Sequence, residues 1–357
     1  MATDFEKAKK NRLDEFYTQL FDIETELCHY MEYFSGKVVF CNCDDPYESN
    51  FFKYFASAFN HLGLKKLIAT CYAGSPIANT QLSLFDHESA ENKTTRSPHK
   101  IEITEVDDYN SDGAFDLSDV EYLLRSRKNA LTRLHGDGDF RSDECVELLK
   151  QADIVVTNPP FSLFREYVSQ LVEYQKDFII IGNTNALTYQ ETFKLIQEDK
   201  MRTGYSKFNV GMYFYVPDYW DDFHKIDEYG RKLVRVSTTC WYTTLDVQKH
   251  KEEFFPFKKY IPEEYPTYEN YAAIDVKRTS DIPLGYEGEM GVPITFLDRY
   301  NPKQFEVIGS SATLAGKPPH DIPKNLRGGP RFYLKNLDGS YKRLYEKIVI
   351  KWKGTQE

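Results

Sequence analysis

Apolar and polar positions follow two different rhythms along the first two thirds of the chain. Short unbroken apolar runs occur at Lys37–Cys43 (KVVFCNC), Lys66–Cys71 (KLIATC), Asp153–Thr157 (DIVVT) and Asp177–Gly182 (DFIIIG). They are too short for helices and rich in β-branched residues, which predicts buried strands. Between them the spacing changes to a helical period. Phe51, Phe52, Phe55 and Phe59 predict a helix over Ser49–Asn60, and Ser142–Lys150 and Leu163–Tyr174 predict two more. Further strands are expected at Leu131–His135, Val210–Val216 (VGMYFYV) and Cys240–Leu245 (CWYTTL). Strands alternating with helices imply an α/β fold, a mostly parallel sheet covered on both faces, with ligands at the carboxyl ends of its strands. Three turns, Asp44–Pro46, Asp137–Asp139 and Asn158–Phe161, directly follow strands and are expected on that edge.

Two stretches break the alternation. Gly74–Lys100 is polar, rich in Ser, Thr, Asn and His, and reads as an insertion. Beyond Asp246 the pattern becomes irregular and rich in Tyr, Pro and Lys, which marks a second lobe. A length of 357 residues agrees with two domains, expected at 1–246 and 247–357.

Composition narrows the class. No run reaches the roughly 18 apolar residues of a membrane span, and the mixed-charge start lacks an apolar signal core. The six cysteines are scattered without a CxxC pair, which fits reduced thiols in a cytoplasmic protein rather than a disulfide framework or a zinc site. The net charge of −10 argues against a protein that simply coats nucleic acid, but the charge is uneven. From Lys317 onward ten basic residues face four acids, so the tail is +6 and the remainder −16. A basic face on an acidic body can still dock on phosphates. Arg327, Arg331, Lys335, Lys342 and Arg343 are the candidates for that contact.

The most specific local signal is Asn158-Pro159-Pro160-Phe161. Two prolines cannot donate to a sheet ladder, so the strand stops there, and their fixed φ angles aim the Asn158 amide. An amide oxygen beside a backbone carbonyl offers two acceptors, with an aromatic face two residues on. That arrangement suits a planar amine with two N–H donors, such as the exocyclic amine of a base or a glutamine amide.

These residues carry a resemblance. Asn-Pro-Pro-Phe after the fourth strand is a hallmark of S-adenosylmethionine-dependent amino methyltransferases. DEFYTQLFDIETEL, CNCDDPYESNFFKYF, LGLKKLIA, GDGDFRS, DIVVTNPPFSLF and MGVPITFL together resemble the EcoRI-type DNA adenine-N6 methyltransferases, from about Asp14 to Asn301–Glu306. The resemblance implies a Rossmann-like class I methyltransferase fold with a seven-stranded, mostly parallel sheet over 1–246, and a target-recognition lobe over 247–357. It implies S-adenosylmethionine as cofactor, no metal, and transfer of a methyl group to N6 of a flipped-out adenine in duplex DNA. Asn158, Pro159, Pro160 and Phe161 match the catalytic segment. Phe16, Tyr17 and Thr18 match the segment that packs on the cofactor's methionine part. Asp44, Asp45, Pro46 and Ser49 match the first-strand turn, which here lacks the family's usual glycines. Asp139, with Asp137 as competitor, matches the carboxylate near the cofactor's adenine. Asp45 has a second reading as the N-cap of the helix that follows.

The resemblance also implies a monomer in a restriction-modification or orphan modification setting, with a cognate endonuclease that it need not touch, and it raises GAATTC as a candidate site. Competing readings are an RNA or protein-glutamine methyltransferase and a degenerate DNA-binding protein. A last candidate partner is suggested by Gln81-Leu82-Ser83-Leu84-Phe85, the concentrated apolar residues of the polar insertion. It looks like the short peptide by which bacterial proteins dock on the DNA sliding clamp.

Overall fold

The computed structural model describes residues 17–44, 49–71, 98–109, 122, 132–206, 208, 210–216, 218 and 220–354. The chain divides into two compact units, residues 1–186 with 204–245, and residues 187–203 with 246–357.

The first unit is mixed α/β around a large sheet. Its strands are β2 (Val38–Asn42), β3 (Lys66–Thr70), β4 (His99–Ile103), β5 (Thr132–Arg133), β6 (Ile154–Thr157), β7 (Asp177–Asn183) and β11 (Thr239–Thr243). Within this unit they are ordered β5-β4-β3-β2-β6-β7-β11. The central four, β3-β2-β6-β7, are parallel. The flanks are antiparallel, β4 on β3, β5 on β4 and β11 on β7. Every residue of β2, β6 and β11 is buried, as expected of strands covered on both faces.

Local chemistry explains the helices. Helix α2 (Asn50–Ser57) is capped by Ser49, whose Oγ accepts from the N–H groups of Phe51 and Phe52 at 3.1 and 3.4 Å. The cap of this helix is therefore Ser49 rather than Asp45, which lies outside the described residues. Helix α3 (Asp143–Gln151) is capped by Ser142, with Asp143 and Glu144 in its first turn, where the helix dipole favours acids. Helix α4 (Phe164–Glu173) buries Phe164, Tyr167, Val168 and Leu171, one stripe at helical spacing.

Val210–Val216 contributes β8 (Met212–Tyr215), but not to the large sheet. It pairs antiparallel with β1 (Tyr17–Thr18) and β10 (Lys232–Val236), which in turn pairs with β9 (Lys225–Ile226). Within MYFY only Phe214 is fully buried, and such one-sided burial suits a small antiparallel sheet better than a doubly covered one. The segment leading into β8 is tied to helix α1 (Leu20–Leu27). Glu26, fully buried, accepts from the N–H groups of Tyr205 and Ser206 at 2.7 and 2.6 Å and from the Tyr30 hydroxyl at 2.9 Å.

The second unit has its own four-stranded sheet, ordered β12 (Ile274–Asp275), β13 (Met290–Pro293), β17 (Lys347–Trp352) and β14 (Phe305–Ser310). A hairpin of β15 (Tyr333–Lys335) and β16 (Tyr341–Arg343) precedes β17. Tyr268, Ala273, Phe332, Leu334, Leu344 and Val349 form a core under the hairpin, with Tyr268 stacked on Phe332 at 4.4 Å. Lys347, one of the ten basic residues of the tail, is buried. Its Nζ pairs with Asp275 at 2.8 Å and donates to the Val276 carbonyl, so it adds nothing to a basic surface. No helix among the described residues is long and apolar enough to cross a membrane.

His250 is also buried in this unit. Its Nδ1 faces the Tyr300 carbonyl at 2.9 Å, and its Nε2 meets the Thr203 carbonyl and hydroxyl at 3.0 and 3.3 Å. Burial outweighs the two carbonyl contacts, which favour the charged ring, and lowers its pKa from 6.5, so the neutral ring is favoured at neutral pH. A base with a depressed folded pKa contributes stability above its unfolded value and loses it as the pH falls. We therefore expect the urea midpoint to decrease below about pH 6.5, with a smaller decrease in His250→Gln. Equal pH dependence in both proteins would contradict this.

Candidate active site

The carboxyl edge of the parallel strands is bound together by side-chain oxygens. Asn42 ends β2 fully buried, and its Oδ1 accepts from the Thr70 hydroxyl at the end of β3, 3.1 Å away. Two residues on, Asp44 is buried. Its Oδ1 accepts from Ser49 Oγ at 2.6 Å and its Oδ2 from Thr157 Oγ1 at 2.5 Å. Thr157 ends β6 and is also within hydrogen-bond reach of the Asn42 carbonyl, so one hydroxyl proton serves two acceptors. Ser49 donates to Asp44 while capping α2, which aims the positive end of that helix toward the carboxylate. Burial, followed by the Asp44 charge, pushes the Cys41 thiol well above its usual value, so it remains protonated.

Asn158 follows Thr157 directly and is half-buried, with Pro159 buried beside it. The Leu163 N–H donates to the Pro160 carbonyl at 3.0 Å, closing a short turn over Phe161–Leu163 that leads into α4. Phe161 is only 7% exposed and meets Phe214 edge to face, with ring centroids 6.4 Å apart. Phe214 pairs with Thr18, and the Thr18 carbonyl accepts from Asn50 Nδ2 at 2.7 Å. The Thr18 hydroxyl is buried and has no hydrogen-bond partner among the described residues.

The third turn lies against the end of β3. Gly138 has φ of +77°, and a Cβ there would sit 2.2 Å from the Cys71 carbonyl oxygen, so only glycine fits. Asp137 Oδ1 accepts from the Asp139 N–H at 2.9 Å. The Asp139 carboxylate is gripped by Arg141 through Nε at 2.8 Å and Nη2 at 2.7 Å, and those bonds hold it below the usual carboxylate range. Arg141 also reaches Glu166 on α4 at 2.9 Å. Any further partner of Asp139 would share it with Arg141.

Tyr17, Thr18, Asp44, Ser49, the Asn158–Phe161 segment, Asp137 and Asp139 thus all belong to the first unit; Ser49 and Asp44 are linked to Thr157, just before the tetrapeptide, and Thr18 pairs with Phe214, which meets Phe161. Phe16, Asp45, Pro46 and Gln81–Phe85 lie outside the described residues. The basic candidates belong to the second unit. Arg331 pairs with Glu346 at 2.7 Å, Arg343 donates to the Gly328 carbonyl, and Arg327 donates to the Ile322 carbonyl at 3.3 Å. Lys335 lies 5.8 Å from the Tyr341 ring and Lys342 is exposed.

Sequence reasoning missed Thr157, Thr70, Arg141 and Phe214. The signal for the first two was present, since each is a hydroxyl residue near the end of an otherwise apolar run. Nothing local marks Phe214, whose role arises from pairing with a strand almost two hundred positions earlier.

Residues 4–353 match the family described as adenine-specific methyltransferase EcoRI. The chain is 47% identical to the type II methyltransferase M.EcoRI of Escherichia coli, over 85% of this chain and 87% of that protein. It is 36% identical to the type II methyltransferase M.MpnI of Mycoplasma pneumoniae, over 97% of each. It is 33% identical to the type II methyltransferase M.MgeORF184P of Mycoplasma genitalium, over 97% of this chain and 98% of that one. No solved structure matches it.

Proposed function

The chain belongs to the EcoRI family of adenine-specific methyltransferases, and from that membership we propose that it methylates N6 of an adenine flipped out of duplex DNA, at a specific site and in a type II modification role. The large sheet is read as the Rossmann-like core of a class I methyltransferase. One observation supports the site assignment above the others. The Thr157 hydroxyl holds the Asp44 carboxylate, so the strand that presents Asn158 and the turn matched to the cofactor are joined by one hydrogen bond.

The residues fit S-adenosylmethionine. A buried carboxylate fixed by two hydroxyls suits a cationic ligand, and the buried Thr18 hydroxyl offers a hydrogen-bonding group with no partner among the described residues. When bound, this cofactor supplies an activated methyl on a positively charged sulfur. Asp44, Ser49, Tyr17 and Thr18 would hold it.

The chain's own chemistry is then positioning and electrostatics. The adenine amine is a poor nucleophile because its lone pair is spread into the ring. The Asn158 amide oxygen and the Pro159 carbonyl would accept its two N–H bonds, drawing the amine out of plane and concentrating density on nitrogen. Phe161, backed by Phe214, would stack on the extruded base. Extrusion costs a few kcal/mol, which contacts to the surrounding DNA must offset.

Expression of the full chain in a methylation-free host, followed by sequencing for N6-methyladenine, tests this reading. We expect one recurring motif, GAATTC being the first candidate. Absence of methylated adenine, or methylation of RNA or protein alone, would overturn it.

The basic candidates should supply sequence-independent affinity. Neutralising Lys335, Lys342, Arg343 and Arg327 is expected to weaken cognate and random DNA alike, and to flatten the slope of log K against log salt by about 0.9 per lost phosphate contact. Arg331, already paired with Glu346, should contribute least. A loss confined to cognate DNA would instead make these residues base readers.

A further inference from the structure

Glu26 is a fully buried carboxylate that the reaction described above does not use. It lies on α1 and receives four donors. Its Oε1 accepts from the Tyr205 N–H at 2.7 Å and the Tyr30 hydroxyl at 2.9 Å. Its Oε2 accepts from the Ser206 N–H at 2.6 Å and the Ser206 hydroxyl at 2.5 Å. Three of the four come from two consecutive residues, 179 and 180 positions further along the chain. A buried carboxylate adds little net stability once its desolvation is counted. What it supplies is direction, because two successive N–H groups bound by one planar carboxylate have a fixed pose.

Those N–H groups stand at the root of the arm that leads to β8. The Gly204 N–H donates to the Trp241 carbonyl on β11 at 2.9 Å, and a Cβ at Gly204 would sit 2.1 Å from Glu26 Oε1. Glycine therefore lets the backbone pass between the carboxylate and the sheet. The Tyr205 ring is stacked on His29 at 4.1 Å and meets Tyr30 edge on at 5.5 Å. The far end of the arm is held by the start of the same helix. Gln19, the residue before α1, donates from Nε2 to the Tyr213 carbonyl at 3.1 Å, and Thr18 pairs with Phe214. Helix α1 itself is seated by the buried Ile23 and Leu27. One eight-residue helix and its leading strand thus fix both the root of the arm and the strand carrying Phe214, whose ring meets Phe161 edge to face.

We infer that Glu26 is a positioning residue for the target base: it sets the pose of the arm, the arm sets Phe214, and Phe214 holds Phe161 in place against the extruded adenine. This rests on the base-flipping reading proposed above and adds to it a residue outside both the tetrapeptide and the cofactor turn. Glu26→Gln keeps the volume, but an amide has one acceptor oxygen where the carboxylate has two. Whichever way that amide is turned, its NH2 group faces the N–H of either Tyr205 or Ser206, and one of the two loses its acceptor.

The test uses the full-length protein, S-adenosylmethionine and a duplex carrying the site recovered by sequencing, read by single-turnover methylation with both ligands saturating. Glu26→Gln is expected to slow methylation on the order of tenfold, the scale of leaving one buried N–H without an acceptor. Its S-adenosylmethionine affinity, measured by calorimetry, should stay within about twofold of wild type. The decisive variant is Phe214→Ala, alone and combined with Glu26→Gln. Changes at separated residues ordinarily multiply in their effects on rate. If Glu26 acts through Phe214, Glu26→Gln should cost less than about twofold once Phe214 is alanine. Ser206→Ala removes one donor and leaves the carboxylate in place. It is expected to show a smaller loss with the same dependence on Phe214, and it carries the test if Glu26→Gln does not fold. Tyr30→Phe removes the bond that comes from outside the arm and should methylate within about twofold of wild type. Unchanged rates in Glu26→Gln and Ser206→Ala, or losses that multiply with that of Phe214→Ala, would overturn the inference and leave the methylation reading intact. A wild type that methylates no DNA adenine would overturn that reading, and the inference with it.

Discussion

Asn158→Ala is expected to bind DNA and S-adenosylmethionine as the wild type does while turnover falls by roughly 10²–10³-fold, the scale of losing one preorganised group aimed at developing charge. The expectation follows from where Asn158 sits. Its neighbours are fixed independently, Thr157 by Asp44 and the Asn42 carbonyl, and Pro160 by the turn into α4. Truncation therefore removes the amide without loosening its support. Ground-state binding should change little, because a neutral amine gains little from the two acceptors until positive charge grows on nitrogen. Single-turnover methylation with prebound DNA isolates the step. A rate within a few-fold of wild type would remove Asn158 from the reaction.

The second large effect is expected at Asp44. Asp44→Asn keeps the shape and part of the hydrogen bonding but removes a buried negative charge. If that charge faces the cationic cofactor, S-adenosylmethionine affinity should fall on the order of 10²-fold, about 2–3 kcal/mol, as for truncating one partner of a buried charged contact. Calorimetric titration measures this without relying on activity. Ser49→Ala is the control. It removes the α2 cap and should cost about 1 kcal/mol of stability, with a smaller effect on cofactor affinity. Unchanged affinity in Asp44→Asn would leave the carboxylate with only its structural role between Ser49 and Thr157.

The central strands were legible in the sequence because their burial on both faces leaves unbroken apolar runs. Lys37–Cys43, Lys66–Cys71, Asp153–Thr157 and Asp177–Gly182 all correspond to strands within a residue or two. The helices were legible through phenylalanine spacing and serine caps. The flanks were not. His99–Ile103 alternates polar and apolar residues and begins inside the stretch read as a polar insertion, Gly74–Lys100, yet it pairs antiparallel with β3. MYFY looks like any short strand, and its membership of a separate sheet depends on partners at Lys232–Val236 and, almost two hundred positions earlier, at Tyr17–Thr18. Side-chain partners were the least legible. Charge counting put Lys347 on a basic surface, whereas Asp275, seventy residues away, draws it into the interior. The Asn-Pro-Pro-Phe turn stood out because prolines announce a backbone geometry; Thr157 beside it did not, because a hydroxyl gains its meaning only from what it touches.

Thr18, Asp44, Thr157 and Phe214 have a consequence for the newly made chain. They meet in one place although they are spread over almost two hundred positions, and contacts of such separation form late in folding. A ribosome that has already released Asn158 has not yet released Phe214, which backs Phe161, nor β11, which completes the buried face of β7. A polypeptide cut short between those points would contain the whole tetrapeptide and still lack the wall behind it. On the proposed site assignment, competence would be acquired late, once these distant segments have met, rather than accumulated as the chain emerges.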